Sequence, residues 1–164
     1  VQGKVKFEPK SRPIDGKYVT FCNESTAQLK LWNNENGWNE LVTNLVDKGY
    51  KVVNVSMRGE HIEGSERITD TSIPNTLNYI HHSEFFIGLS SGLSWLSWAI
   101  GKHVVMISNF TEDGHEFTKN CTRITNTNVC NGCWNNPNFK FDKGDWNWCP
   151  IMRNTKKELN VINP

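Results

Sequence analysis

Three groups of residues in this chain have types and spacings that can do chemistry. The first is sulfur: Cys130 and Cys133 stand three apart and Cys149 follows sixteen residues later. That is metal-ligand spacing, one thiol short of a tetrahedral set. Cys121, nine residues before Cys130, is the nearby spare. Soft thiolates take zinc as readily as iron, so the spacing leaves the metal open. The second group is Ser90-Ser91-Gly92-Leu93, small residues leading into an apolar helical run. Backbone N–H groups point outward at such a helix start, and the helix dipole favours an anion there, phosphate being the natural guest. A serine in that place is also an ordinary helix cap, and sequence does not separate the two. The third group is spread over two loops. Ser25, Thr26 and Lys30 offer hydroxyl donors and a point charge suited to a diphosphate. Glu60 follows a strand, where nucleotide folds often set an acid on a ribose hydroxyl. A lone lysine or glutamate is equally at home on a solvated surface.

These residues act together only if the fold brings them to one edge. Residues 17–22 form a β-rich run after the Asp15-Gly16 turn signal, and residues 50–56 form another. Between them, positions 38, 41, 42, 45 and 46 are apolar at helical period, which predicts a helix over 37–48 stopped by Gly49. The pattern repeats: a helix from Ile73-Pro74 to about residue 81, a short strand over 84–88, an apolar helix over 92–100 ended by Gly101, and a strand over 103–108. Strands alternating with helices imply crossover connections and a parallel sheet covered on both faces, an α/β Rossmann-like body. An open sheet of that kind binds ligands outside the carboxyl ends of its strands. Ser25, Thr26, Lys30, Glu60 and the Ser90–Leu93 stretch all follow strands. No Gly-x-Gly-x-x-Gly follows any strand, so this is not a dinucleotide fingerprint.

From about Thr111 the periodicity fades into turn-rich, aromatic-rich sequence. The expected division is therefore a nucleotide-binding body over 1–120 and a loop-rich cysteine finger and tail over 121–164. Trp134, Trp146 and Trp148 would pack around the cysteine knuckle, whereas Trp95 and Trp98 read as core. Cys22 reads as a buried thiol. His115 and Glu116, in the loop after the last strand, are further candidates to face a ligand.

Composition narrows the classes. A chain of 164 residues makes one ordinary domain. Its 18 basic and 17 acidic residues nearly cancel, which argues against nonspecific nucleic-acid or polybasic membrane binding. No apolar run is long enough for a membrane span, and the first ten residues lack the apolar core of a signal peptide. Asn-x-Ser/Thr triplets at Asn23, Asn54, Asn109 and Asn120 carry little weight in so asparagine-rich a chain. Five cysteines, three of them closely spaced, suit metal ligation in a reducing compartment, so a cytoplasmic protein is expected.

The loop residues 24–32, Gly37-Trp38, Gly59-Glu60 and Gly88-Leu89-Ser90-Ser91-Gly92-Leu93-Ser94-Trp95 resemble the nucleotide-binding half of heptosyltransferase-type glycosyltransferases. The tail, Cys-Asn-x-Cys-Trp followed by Asp-Trp-x-Trp-Cys-Pro, is similar to that of the bacterial autotransporter heptosyltransferases, which modify serines of adhesin-type autotransporter proteins. The resemblance covers about residues 17–150. It implies one half of a two-domain GT-B enzyme, with a nucleotide sugar such as ADP-heptose in the cleft between two Rossmann-like domains. Ser25, Thr26 and Lys30 would contact the donor diphosphate, Glu60 the ribose, and Ser90, Ser91, Gly92 and Leu93 the phosphate side. Related enzymes carry Asp-Thr where this chain has Ser90-Ser91, which removes an acid there and leaves the backbone anion site. The family's catalytic aspartate belongs to the facing acceptor-side domain, so no catalytic residue is assigned and the chain alone is expected to be inactive. The resemblance also implies an iron ion held by four cysteines, of which Cys130, Cys133 and Cys149 match three. The fourth is Cys121, a residue beyond Pro164, or a histidine or water. The rival expectation is a noncatalytic metal-finger module that serves assembly on a nucleotide-binding fold. Self-association into a homo-oligomer is left open.

Overall fold

Alternation along each short strand decides the architecture, because successive side chains face opposite sides of a sheet. The computed structural model describes residues 3–138. Its elements run β1 (Tyr18–Phe21), α1 (Gly37–Asp47), β2 (Lys51–Asn54), β3 (Glu66–Arg67), α2 (Ile73–His82), β4 (Phe86–Leu89), α3 (Gly92–Ala99), β5 (Val104–Ile107) and β6 (Cys121–Ile124). On one face Tyr18, Val53, Phe86 and Met106 join Leu77 and Ile80 of α2 and Trp98 of α3. On the other, Val19, Phe21, Val52, Ile87 and Leu89 meet Trp38, Val42 and Leu45 of α1. The last three stand one helical turn apart, so α1 buries a single stripe. Each such side chain contributes roughly 1.5–3 kcal/mol when fully buried.

Among the described residues six strands form one sheet in the order β3-β2-β1-β4-β5-β6. Every pairing is parallel. The chain order reverses between β1 and β4, and such a switch point opens a crevice at the carboxyl ends of the strands. This is the expected α/β Rossmann-like sheet with helices on both faces. No helix among the described residues is long and apolar enough to cross a membrane.

The structure differs from the sequence reading at two edges. β3, two exposed residues beside β2, has no periodicity to announce it. More important, the region after Thr111 is not only loop: β6 pairs along its whole length with β5, Val104 opposite Cys121 and Ile107 opposite Ile124. The sheet therefore runs past the boundary expected at residue 120. Two of the four β6 residues are exposed, as an edge strand permits, and that hides the strand from a search for apolar runs.

Candidate functional site

The loops leaving β1 and β2 are stitched together by neutral polar groups. Asn54 ends β2 fully buried, and its amide donates to the Glu60 carbonyl at 3.2 Å. The Asn23 amide, just after β1, donates to the same carbonyl at 3.1 Å. The Ser56 hydroxyl donates to Asn23 Oδ1 at 2.8 Å. Gly59 lies against this knot so closely that a Cβ there would sit 2.0 Å from Asn23 Oδ1, so only glycine fits without displacing the amide. Glu24 adds a clamp by accepting the backbone N–H groups of Met57 and Arg58. The main chain of Glu60 is thus fixed while its side chain stays exposed.

A short 3-10 turn, Gln28–Lys30, is anchored by buried Ala27 and Leu29 and carries Lys30 inward. The Lys30 ammonium stands 5.8 Å from the Phe110 ring centroid. Burial pushes its pKa down, and the Glu116 carboxylate partly offsets this. Across the cleft α3 begins at Gly92, and Ser91 makes no side-chain capping hydrogen bond. That weakens the plain-cap reading, because the hydroxyl is not spent on the first-turn amides. A Cβ on Gly92 would meet nothing within 4 Å, so that face of the turn is open.

Seven of the eight expected donor-site residues line one cleft of about 950 Å³: Ser25, Thr26, Lys30, Glu60, Ser91, Gly92 and Leu93. Val55, Met57, Ile73 and Leu96 give it an apolar wall, with Met57 and Ile73 more than half exposed. The eighth residue, Ser90, points elsewhere: it is buried and donates to Glu116 Oε1. Glu116 is likewise buried, behind the cleft wall, where Oε2 pairs with Arg123 Nη1 at 2.5 Å. His115 is exposed in the short turn Asp113–His115. Sequence reasoning missed Arg123 altogether. The available signal was its place on a strand that went unrecognised.

The sulfur groups separate. Cys130 is exposed and Cys133 half-buried, on either side of Gly132, which adopts a left-handed φ of 69°. The Gly132 and Trp134 N–H groups donate to the carbonyls of Asn109 and Phe110, at 2.8 and 3.1 Å. The knuckle is therefore tied to the sheet just past β5. Cys121 opens β6 at the opposite end, packed against the core that holds Trp98 and Phe117. Three strand steps of about 3.3 Å lie between those ends. Among the described residues no three of His, Cys, Asp or Glu gather as a ligand set. Cys121 is a sheet thiol here, not a companion of Cys130 and Cys133. Its pKa is pushed up, first by burial and then by Glu116. Cys149, with Trp146 and Trp148, lies outside the described residues. Cys22 is buried, as expected.

A family model described as glycosyltransferase family 9 (heptosyltransferase) matches residues 2–147. The chain is 40% identical over 158 residues to the autotransporter heptosyltransferase Aah of Escherichia coli, covering 90% of this chain and 40% of that protein. It is 32% identical to BimC of Burkholderia thailandensis, named an inactive autotransporter heptosyltransferase, over 95% of this chain and 39% of BimC. A crystal structure of TibC from enterotoxigenic E. coli, an iron-containing dodecameric glycosyltransferase, matches with a TM-score of 0.83 at 35% identity, over 94% of this chain and 43% of that one. A second TibC structure, in complex with ADP-D-beta-D-heptose, matches with a TM-score of 0.82. The chain spans about two fifths of the length of the relatives it matches.

Proposed function

The chain belongs to glycosyltransferase family 9, the heptosyltransferases, and on that premise we propose that it is the donor-binding half of an enzyme that transfers heptose or a similar sugar from a nucleotide sugar to protein hydroxyls. One observation carries this reading: the cleft at the sheet's switch point is lined by Ser25, Thr26, Lys30, Glu60, Ser91, Gly92 and Leu93 together. In it, Lys30 and the open first turn of α3 take the diphosphate. Glu60 takes the ribose, and Met57, Ile73 and Leu96 offer the base an apolar wall. The ADP-heptose bound by TibC supports a donor of that kind. The names of the relatives support an autotransporter-type protein acceptor. The acceptor and the proton-accepting aspartate are assigned to a facing domain, so this part alone binds donor without turning it over. The TibC dodecamer supports self-association.

In this reading the nucleotide-binding body ends after β6, and the cysteine segment behind it is a small metal finger. Two soft thiols on a knuckle whose backbone is tied to the sheet fit such a site as two of its ligands. Cys130, Cys133 and Cys149 would hold iron or zinc, which would brace the finger. The iron of TibC supports iron, and reduced thiols agree with a cytoplasmic enzyme.

The test is calorimetric titration of the protein at its natural length with ADP and with adenosine. ADP is expected to bind more tightly, and Lys30→Ala is expected to remove that difference. No binding of either would overturn the reading. The inactive relative BimC favours a second reading, a noncatalytic assembly module. ADP-heptose binding without any sugar transfer to an autotransporter acceptor would select it.

A further inference from the structure

Behind the diphosphate wall of the cleft sits a carboxylate for which the donor reading has no use. Glu116 is only 4% exposed. Its Oε1 accepts the hydroxyl of Ser90, the first residue of the connection from β4 to α3. Its Oε2 meets Arg123 Nη1 at 2.5 Å. Arg123 is tied in turn to the carbonyl oxygens of Thr111 and Glu112 and, at 3.0 Å, to Asp113. We propose that Glu116 is a positioning residue for the diphosphate subsite, fixing Ser90 through a hydrogen bond and setting a negative charge near Lys30, without touching the donor. This rests on the donor-site reading given above.

The physical argument is one of charge. Lys30 is half-buried beside the Phe110 ring, where an ammonium is costly without a counter-charge. A diphosphate supplies one when bound. When the cleft is empty Glu116 supplies it, and the carboxylate raises the Lys30 pKa against the lowering by burial. Left alone, a buried carboxylate would also repel the incoming phosphates. Arg123 neutralises it from behind, and the Asp113 that pairs with Arg123 Nε has a side chain 86% exposed, so its charge is screened by solvent. Glu24, Arg58 and Glu60 line the same cleft from the β1 and β2 loops.

The experiment compares ADP and adenosine binding by calorimetry between pH 7 and 10 for the natural-length protein and its Glu116→Gln variant. The variant is expected to bind ADP about tenfold more weakly at neutral pH, with adenosine changed less than about twofold. Because Lys30 then keeps only the lowering effect of burial, the alkaline fall in ADP affinity should begin at lower pH than in the native protein. Unchanged ADP affinity, an unmoved alkaline limb, or equal losses for ADP and adenosine would each overturn the proposal. If Glu116→Gln does not fold, the same comparison is made on Glu116→Gln/Arg123→Met, which removes both buried charges, and retained ADP affinity there overturns it as well. Native protein that binds no ADP would instead strike the donor-site reading itself.

Discussion

On the β1–β2 rim of the cleft, Asn54, Asn23 and Ser56 fix the main chain of Glu60 through neutral hydrogen bonds. On the β4–β6 rim, Ser90, Glu116 and Arg123 do the equivalent work with a buried ion pair. A neutral network can lose a member for the cost of one unsatisfied group. A buried pair that loses one charge strands the other, which is worse. The β1–β2 network is therefore expected to tolerate change. The Ser90–Glu116–Arg123 network is expected to be stiff and costly to alter.

The sharpest test of that contrast is stability. Arg123→Met leaves the Glu116 carboxylate buried and unpaired, and urea unfolding is expected to show a loss of about 3–5 kcal/mol. Adding Glu116→Gln should restore much of it, a coupling that a double-mutant cycle measures directly. Asn54→Ala, on the neutral rim, is expected to cost about 1–3 kcal/mol in the same assay. If it costs as much as Arg123→Met, the two rims do not differ as described.

Binding effects are smaller. Lys30→Ala is expected to weaken ADP roughly tenfold, about 1.4 kcal/mol, and leave adenosine nearly unchanged. In the native protein burial has already lowered the Lys30 pKa, so the ammonium loses its proton earlier than a solvated lysine as pH rises. ADP affinity should fall with it on the alkaline side, while adenosine affinity stays level. Glu60→Ala should act oppositely, weakening ADP and adenosine alike by about threefold to tenfold, as loss of one hydrogen-bonded ribose contact would. The least effect is expected from Gly92→Ala: the added methyl meets nothing in the empty cleft, so thermal unfolding should hardly move. A small loss of ADP affinity in that variant would mark how closely phosphate approaches the turn.

The alternation of β1, α1, β2, α2, β4, α3 and β5 is legible because the elements carry their own periods and the helices end on glycine or begin at proline. Gathering Ser25, Thr26, Lys30, Glu60 and Ser91 then needed only the rule that parallel sheets bind at their carboxyl edge. Ser90 was grouped with Ser91 because neighbours in sequence look alike. The two side chains part where the chain bends into α3, Ser91 lining the cleft and Ser90 bonding Glu116. Glu116 appeared as a candidate to face a ligand, and its burial behind the wall could not be read locally, since Arg123 arrives from a strand with no apolar run. Cys121 looked like a spare ligand by counting along the chain. Parallel pairing with Val104 carries it to the far end of β5 from the Cys130–Cys133 knuckle.

The two asparagine amides on the β1–β2 rim hold the carbonyl oxygen of Glu60 and make no bond to its side chain. Position 60 therefore keeps its place whatever residue occupies it. Over generations, exchange there should be nearly free of penalty to folding while altering how the ribose is held. That makes it a point where a lineage of such proteins can drift toward new donors one codon at a time, provided Asn23 and Asn54 stay. The buried pair across the cleft offers no comparable freedom, since either partner can change safely only when the other changes with it.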